Sequence, residues 1–136
     1  MGRDEVLLQL QERLSKFKVT DQCRREIETF VLKCGNRKAF LKLLVMRRKQ
    51  LNALSPDQLV QLNEFELLKQ ASNLYSMHLK GKGFNYRILY QYLSDGEVLL
   101  LGFEEKHGKK VTEYSNFIPT ALERLENFLK GDGFNG

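Results

Sequence analysis

The sequence predicts an α+β domain: N-terminal helices, a three-stranded antiparallel meander, and a C-terminal packing helix. Three observations predict it. Apolar residues recur at helical spacing through about residue 53; strict apolar–polar alternation replaces that spacing at Tyr75; helical spacing returns beyond Pro119. The chain has 136 residues, which is one domain's worth, so residues 1–136 read as a single unit. At 42% hydrophobic and 29% charged it can bury a core and is neither disordered nor fibrous. Its longest apolar run, Val98 to Phe103, falls well short of the roughly 18 residues a membrane span needs. The opening Met-Gly-Arg-Asp-Glu carries acids where a secretory leader has none. With two cysteines in the chain, the expected setting is the reducing cytoplasm.

Val6, Leu7, Leu10, Leu14 and Phe17 predict a leading helix over about residues 4–17, within an opening segment 1–19. Thr20 and Asp21 offer the next N-cap. Behind them Cys23, Ile27, Phe30, Val31 and Cys34 form one buried stripe, and Gly35 is placed to close that helix in the left-handed conformation. From Arg37 to Ala53, Phe40, Leu43, Leu44 and Leu51 share a side, with most of the bases opposite. Ser55-Pro56-Asp57-Gln58 reads as a capping box with proline in the first turn, starting a short helix to about Asn63.

Tyr75, Met77 and Leu79 alternate with Ser76, His78 and Lys80, as in a half-buried strand, and Gly81-Lys82-Gly83 ends it. Phe84, Tyr86, Ile88, Tyr90 and Tyr92 alternate with Asn85, Arg87, Leu89 and Gln91 in a longer strand with an aromatic face. Asp95-Gly96 signals a hairpin. Glu97 to Phe103 is apolar on both faces and is therefore expected inside the sheet. Glu104 to Lys110 reads as a loop. Ile118, Ala121, Leu122, Leu125, Phe128 and Leu129 form the last helical stripe, with Gly131 at its end and residues 131–136 as a frayed tail.

The chain carries 22 Lys+Arg against 17 Asp+Glu, a net +5 that permits nucleic acid without demanding it. Distribution says more than the sum. Lys33, Arg37, Lys38, Lys42, Arg47, Arg48 and Lys49 fall in a stretch without one acid. Further groups are Lys80, Lys82 and Arg87, then Lys106, His107, Lys109 and Lys110; beyond Val111 the sign reverses. A charge run is ordinarily a solvated face. Three in one small domain weaken that reading without removing it.

Metal chemistry has no motif here. Two His and two Cys form no CxxC or HxxxH pair, and Cys23 and Cys34 stand about 16 Å apart along a helix. They read as buried structural thiols. No Ser/His/Asp arrangement occurs, and Gly81-Lys82-Gly83 is a turn rather than a phosphate loop. Arg87 is more informative. Strand parity puts it opposite Tyr86, Ile88 and Tyr90, and His78 and Lys80 share its parity one strand away. Arg87, His78 and the 106–110 segment are therefore expected on one exposed sheet face.

Leu74-Tyr75-Ser76-Met77-His78-Leu79, Tyr86-Arg87-Ile88-Leu89-Tyr90 and Val98-Leu99-Leu100-Leu101-Gly102-Phe103, followed by a Lys-rich loop, resemble the RelE/ParE toxin superfamily, especially its HigB-like, phage-associated branch. Ala121 and Arg124 fit that branch's final helix, and the match covers about residues 56–130. The resemblance implies a RelE-like fold and the toxin of a toxin–antitoxin pair. It also implies a metal-independent mRNA interferase acting in the ribosome, without cofactor, and a cognate antitoxin as partner. Arg87 would stabilise charge on the phosphate. Lys106, His107 or Lys109 would act as base or acid, with Tyr114 orienting them or the phosphate. His78, Lys80, Lys82 and Lys110 would contact RNA, and the basic helix, at Arg47 and Arg48, would receive an acidic antitoxin segment. The departures from the family pattern are His78 in place of an arginine, the acids Glu104 and Glu105 among the loop's bases, and a helix where many relatives open on a strand. Two other functions suit the same scaffold: a ParE-like, non-enzymatic topoisomerase inhibitor, and a non-toxic RNA- or protein-binding domain.

Overall fold

The computed structural model describes residues 2–69, 71, 73–105 and 113–131. Helix α1 (Arg3–Leu14) has Asp4 and Glu5 in its first turn and Arg13 in its last, charges that complement the helix dipole, and it buries Val6, Leu10 and Leu14. It stops short of Phe17. The chain turns there into a two-residue strand, β1 (Lys18–Val19), which corrects the expectation of helix through residue 17. Thr20 then caps α2 (Asp21–Lys33), its Oγ1 accepting from the Cys23 N–H at 3.2 Å. Gly35 does not close α2 as expected. Cys34 is extended instead, and the Arg37 side chain donates to the carbonyls of Val31 (3.2 Å) and Leu32, serving the helix end that a left-handed glycine would have served. The basic helix α3 spans Arg37–Ala53, the predicted range. Ser55 and Gln58 form the predicted capping box, but α4 is shorter than expected (Pro56–Leu59), because Phe65 is drawn into the sheet.

The sheet has five strands rather than three. The predicted meander is present as β3 (Tyr75–Gly81), β4 (Phe84–Leu93) and β5 (Gly96–Glu104), with β2 (Phe65–Leu67) added antiparallel to β3 and β1 added parallel to β5. The order is β1-β5-β4-β3-β2, so β5 lies inside the sheet as its two apolar faces required. A bulge interrupts the β4–β5 pairing: Leu89 faces Leu101 while Tyr90 faces Leu99, leaving Leu100 as the extra residue. Leu100 and Leu101 consequently join the same core.

Each face of the sheet carries its own core. Met77, Leu79, Phe84, Tyr86, Ile88, Tyr90 and Leu99 pack under α1, α2 and α3. Leu74, Leu89, Val98, Leu100 and Leu101 pack with Tyr114 and α5 (Ile118–Leu129) on the other side. The face carrying Arg87 is therefore covered at one end and polar at the other. Strand β1 is too short to pair all of β5, so side chains finish the edge. Thr20 Oγ1 and Arg124 Nη1 donate to the Leu100 carbonyl at 3.3 and 3.0 Å, and Glu26 Oε1 accepts from the Gly102 N–H at 3.0 Å. Arg124 also pairs with both Glu26 oxygens, at 2.8 and 3.0 Å, tying α5 to α2.

Gly102 has a steric reason. A Cβ there would stand 2.8 Å from a Tyr86 ring carbon and closer still to the hydroxyl. Tyr86 cannot swing away, since its ring stacks on Phe30 at 4.4 Å and meets Phe40 edge-on at 5.6 Å. Gly102→Ala should therefore cost about 1–3 kcal/mol, read as a thermal midpoint lowered by roughly 4–12 °C. An unchanged midpoint would show that the ring relaxes without loss.

Candidate functional site

The polar end of the sheet is built by strand register. His78 lies directly across from Arg87, and Lys80 across from Asn85. Glu105, one residue beyond β5, continues the pairing by donating its N–H to the Asn85 carbonyl at 2.9 Å. The side chains join into a chain. His78 Nε2 bonds Asn85 Oδ1, Asn85 Nδ2 donates to Glu105 Oε2 at 3.2 Å, and Arg87 Nε donates to Glu105 Oε1. The expectation that parity brings His78 and Arg87 onto one face is met, but the face is not exposed there: both residues are half-buried. The acid at 105, which reads from sequence as a departure among bases, is the hub.

Tyr114 closes one side of this group. Its ring centre lies 5.9 Å from the Arg87 guanidinium carbon, and its hydroxyl donates to the buried Ser76 Oγ at 3.1 Å. Burial pushes its pKa up to about 12, so it stays a neutral phenol; the Glu66 carboxylate acts in the same direction. Burial also lowers the His78 pKa, with the Arg87 and Lys80 cations adding to the effect and Asn85 and Glu105 opposing it. His78 is therefore a largely neutral imidazole at neutral pH.

From the opposite face, Arg47 holds the His78 backbone. Its Nε and Nη2 donate to the His78 carbonyl at 3.1 and 2.8 Å, and Nη1 donates to Gln50 at 2.9 Å. This corrects the reading of Arg47 as an exposed docking cation, since the residue is only 4% exposed. Arg48 is also occupied. It pairs with the buried Glu97 at 2.7 and 3.0 Å, donates to the Lys16 carbonyl at 3.2 Å, and lies over the Phe17 ring. Neither arginine belongs to a solvated basic face. The exposed cations of α3 are Lys38, Lys42 and Lys49.

Lys80 and Lys82 stand exposed at the β3–β4 turn, beside the site and not in its network. Lys106, His107, Lys109 and Lys110 lie outside the described residues. Asn85, Glu105 and Ser76 are the members that sequence reasoning did not select. Parity alone marks Asn85, whereas Glu105 falls just past the strand, where alternation gives no guidance. Cys23 and Cys34 are free and buried, as expected, and burial raises both thiol pKa values. Among the described residues no group of three or more His, Cys, Asp or Glu side chains is placed to hold a metal ion, and no described helix is long and apolar enough to cross a membrane.

The arrangement joins a guanidinium, a neutral imidazole and a carboxylate at a sheet end edged by lysines, a set able to bind a phosphodiester and to move a proton beside it. No protein-family profile, no curated protein and no solved structure matches this chain.

Proposed function

We propose that the protein is a RelE/HigB-like toxin that inhibits translation by cleaving mRNA without a metal, in the ribosome. One observation carries this reading: Arg87 and His78 face each other across β3–β4 inside a hydrogen-bonded polar group at one end of the sheet. The nucleophile is the RNA's own 2′-hydroxyl, which attacks the neighbouring phosphorus. The P–O5′ bond breaks, leaving a 2′,3′-cyclic phosphate and a 5′-hydroxyl. Arg87 stabilises the charge that builds on the phosphate oxygens. Lys80 and Lys82 hold the adjoining backbone, and Lys106, His107 or Lys109, which follow Glu105 in the chain, exchange the proton of the leaving oxygen. A cognate antitoxin, on this reading, docks on the outer face of α3 at Lys38, Lys42 and Lys49.

The test is end-labelled RNA incubated with the full chain in EDTA, free and on ribosomes, beside an all-deoxy strand of the same sequence. Cyclic-phosphate ends from RNA and an intact deoxy strand are expected. RNA left whole in both settings sinks the proposal. A second reading, the ParE-like topoisomerase inhibitor, draws on the ion pair itself, because a guanidinium engaged by Glu105 suits a binding surface that need not perform chemistry. Inhibition of gyrase supercoiling by a chain that cuts no RNA would favour it.

A further inference from the structure

The hydrogen-bond chain assigns His78 a role beyond RNA contact. We propose that His78 Nδ1 is the proton acceptor of this site, and that Asn85 and Glu105 are positioning residues that fix its imidazole in the Nε2–H tautomer.

The inference follows from what each atom is able to do. A carboxylate only accepts hydrogen bonds, so the Asn85 atom 3.2 Å from Glu105 Oε2 is the donor Nδ2. The amide's other end, Oδ1, therefore faces His78 Nε2, and an amide oxygen only accepts. Nε2 must carry the hydrogen. A neutral imidazole has one N–H, so its basic lone pair is on Nδ1, and no described residue bonds that nitrogen. Arg87 holds the other Glu105 oxygen and keeps the carboxylate in place, while Arg47 clamps the His78 carbonyl from behind. Glu105 thus sets the protonation pattern of a ring it does not touch. With glutamine or alanine at 105, the Asn85 amide is free to turn over, offer its NH₂ to Nε2, and move the ring's hydrogen to Nδ1.

The identity of the proton rests on the RNA-cleavage reading; the tautomer does not. On that reading Nδ1 takes the 2′-hydroxyl proton as O2′ bonds to phosphorus, and O5′ leaves with the proton of Lys106, His107 or Lys109, which water then restores. The imidazolium then returns its proton to water, so atoms and charges balance.

Two measurements test the proposal. The first is ¹⁵N NMR of the side chains in the full chain, with His107→Gln leaving a single imidazole to assign. One pyrrole-like Nε2 and one pyridine-like Nδ1 are expected in otherwise native protein, with mixed tautomers in Glu105→Ala and Asn85→Ala. An Nδ1–H ring in the parent, or an unchanged tautomer in both variants, overturns the positioning role. The second is cleavage kinetics. His78→Gln should lower kcat about 10²-fold or more and remove the acidic limb of the pH profile, with smaller losses in Asn85→Ala and Glu105→Ala. Parent-like cleavage by a folded His78→Gln overturns the acceptor role. A parent chain that cuts no RNA overturns the catalytic half together with the functional reading, and the tautomer experiment still decides the other half.

Discussion

Arg87→Ala is expected to lower RNA cleavage by about 10²–10³-fold, the cost typical of removing one donor from a site where charge develops. Its Nε is committed to Glu105, so phosphate contact falls to the Nη nitrogens. Lysine offers one mobile point charge and cannot hold the carboxylate and the phosphate together, so Arg87→Lys should recover little. The ion pair makes the single variant ambiguous, because alanine also removes the Arg87 partner of Glu105. Arg87 and Glu105 are each 17% exposed, and taking an ion pair from a carboxylate there costs stability. The double variant Arg87→Ala/Glu105→Ala separates the effects. Its thermal midpoint should return toward that of the parent while cleavage stays lost. Restored cleavage would mean that Arg87 serves only as counter-charge to Glu105 and has no part in the chemistry.

The helices and the central strands are legible in the sequence because one residue-level pattern marks each of them. The Thr20 cap, the Ser55–Gln58 box and the period-2 run from Phe84 each depend on neighbours a few positions away. The outer strands are not legible for the same reason. Lys18–Val19 and Phe65–Leu67 are too short to show alternation, and only their pairing with Val98–Leu99 and Tyr75–Met77 makes them strands. Gly35 shows a second limit: a local cap motif lost to Arg37, whose long side chain reaches back to the helix end.

The site divides along the same line. Parity places His78 opposite Arg87, and that needs only two strands in antiparallel register. Glu105 as hub needs the register of a third strand, which the Leu100 bulge shifts by one residue. Leu89, at a polar-parity position, is buried because Tyr114 and α5 cover that end of the face. Charge proved the weakest guide. A run without acids reads as a solvated face, yet Arg47 and Arg48 turn inward to partners 31 and 49 residues away.

Arg47→Ala is the stability prediction with the largest expected effect, about 3–4 kcal/mol of unfolding free energy. Three contributions lead to it. Two charge-assisted hydrogen bonds to the His78 carbonyl disappear, leaving a buried acceptor unserved. The guanidinium leaves the face of Phe65, whose ring centre is 5.8 Å away. The buried stem leaves a cavity between α3 and the sheet. Set against these is the cost the native protein already bears, since burial lowers the Arg47 pKa and so disfavours its charge. Arg47→Met removes that cost and fills most of the space, so its penalty should shrink to about 1–2 kcal/mol, mainly the unpaired carbonyl. Arg47→Glu should be worse than alanine, because it puts a carboxylate against that carbonyl. Urea denaturation of the three variants should rank them methionine, alanine, glutamate in increasing loss. If methionine proves as costly as alanine, the hydrogen bonds outweigh the packing. If all three match the parent, Arg47 does not hold β3 in place, and the His78 ring loses the support from behind that its proposed role requires.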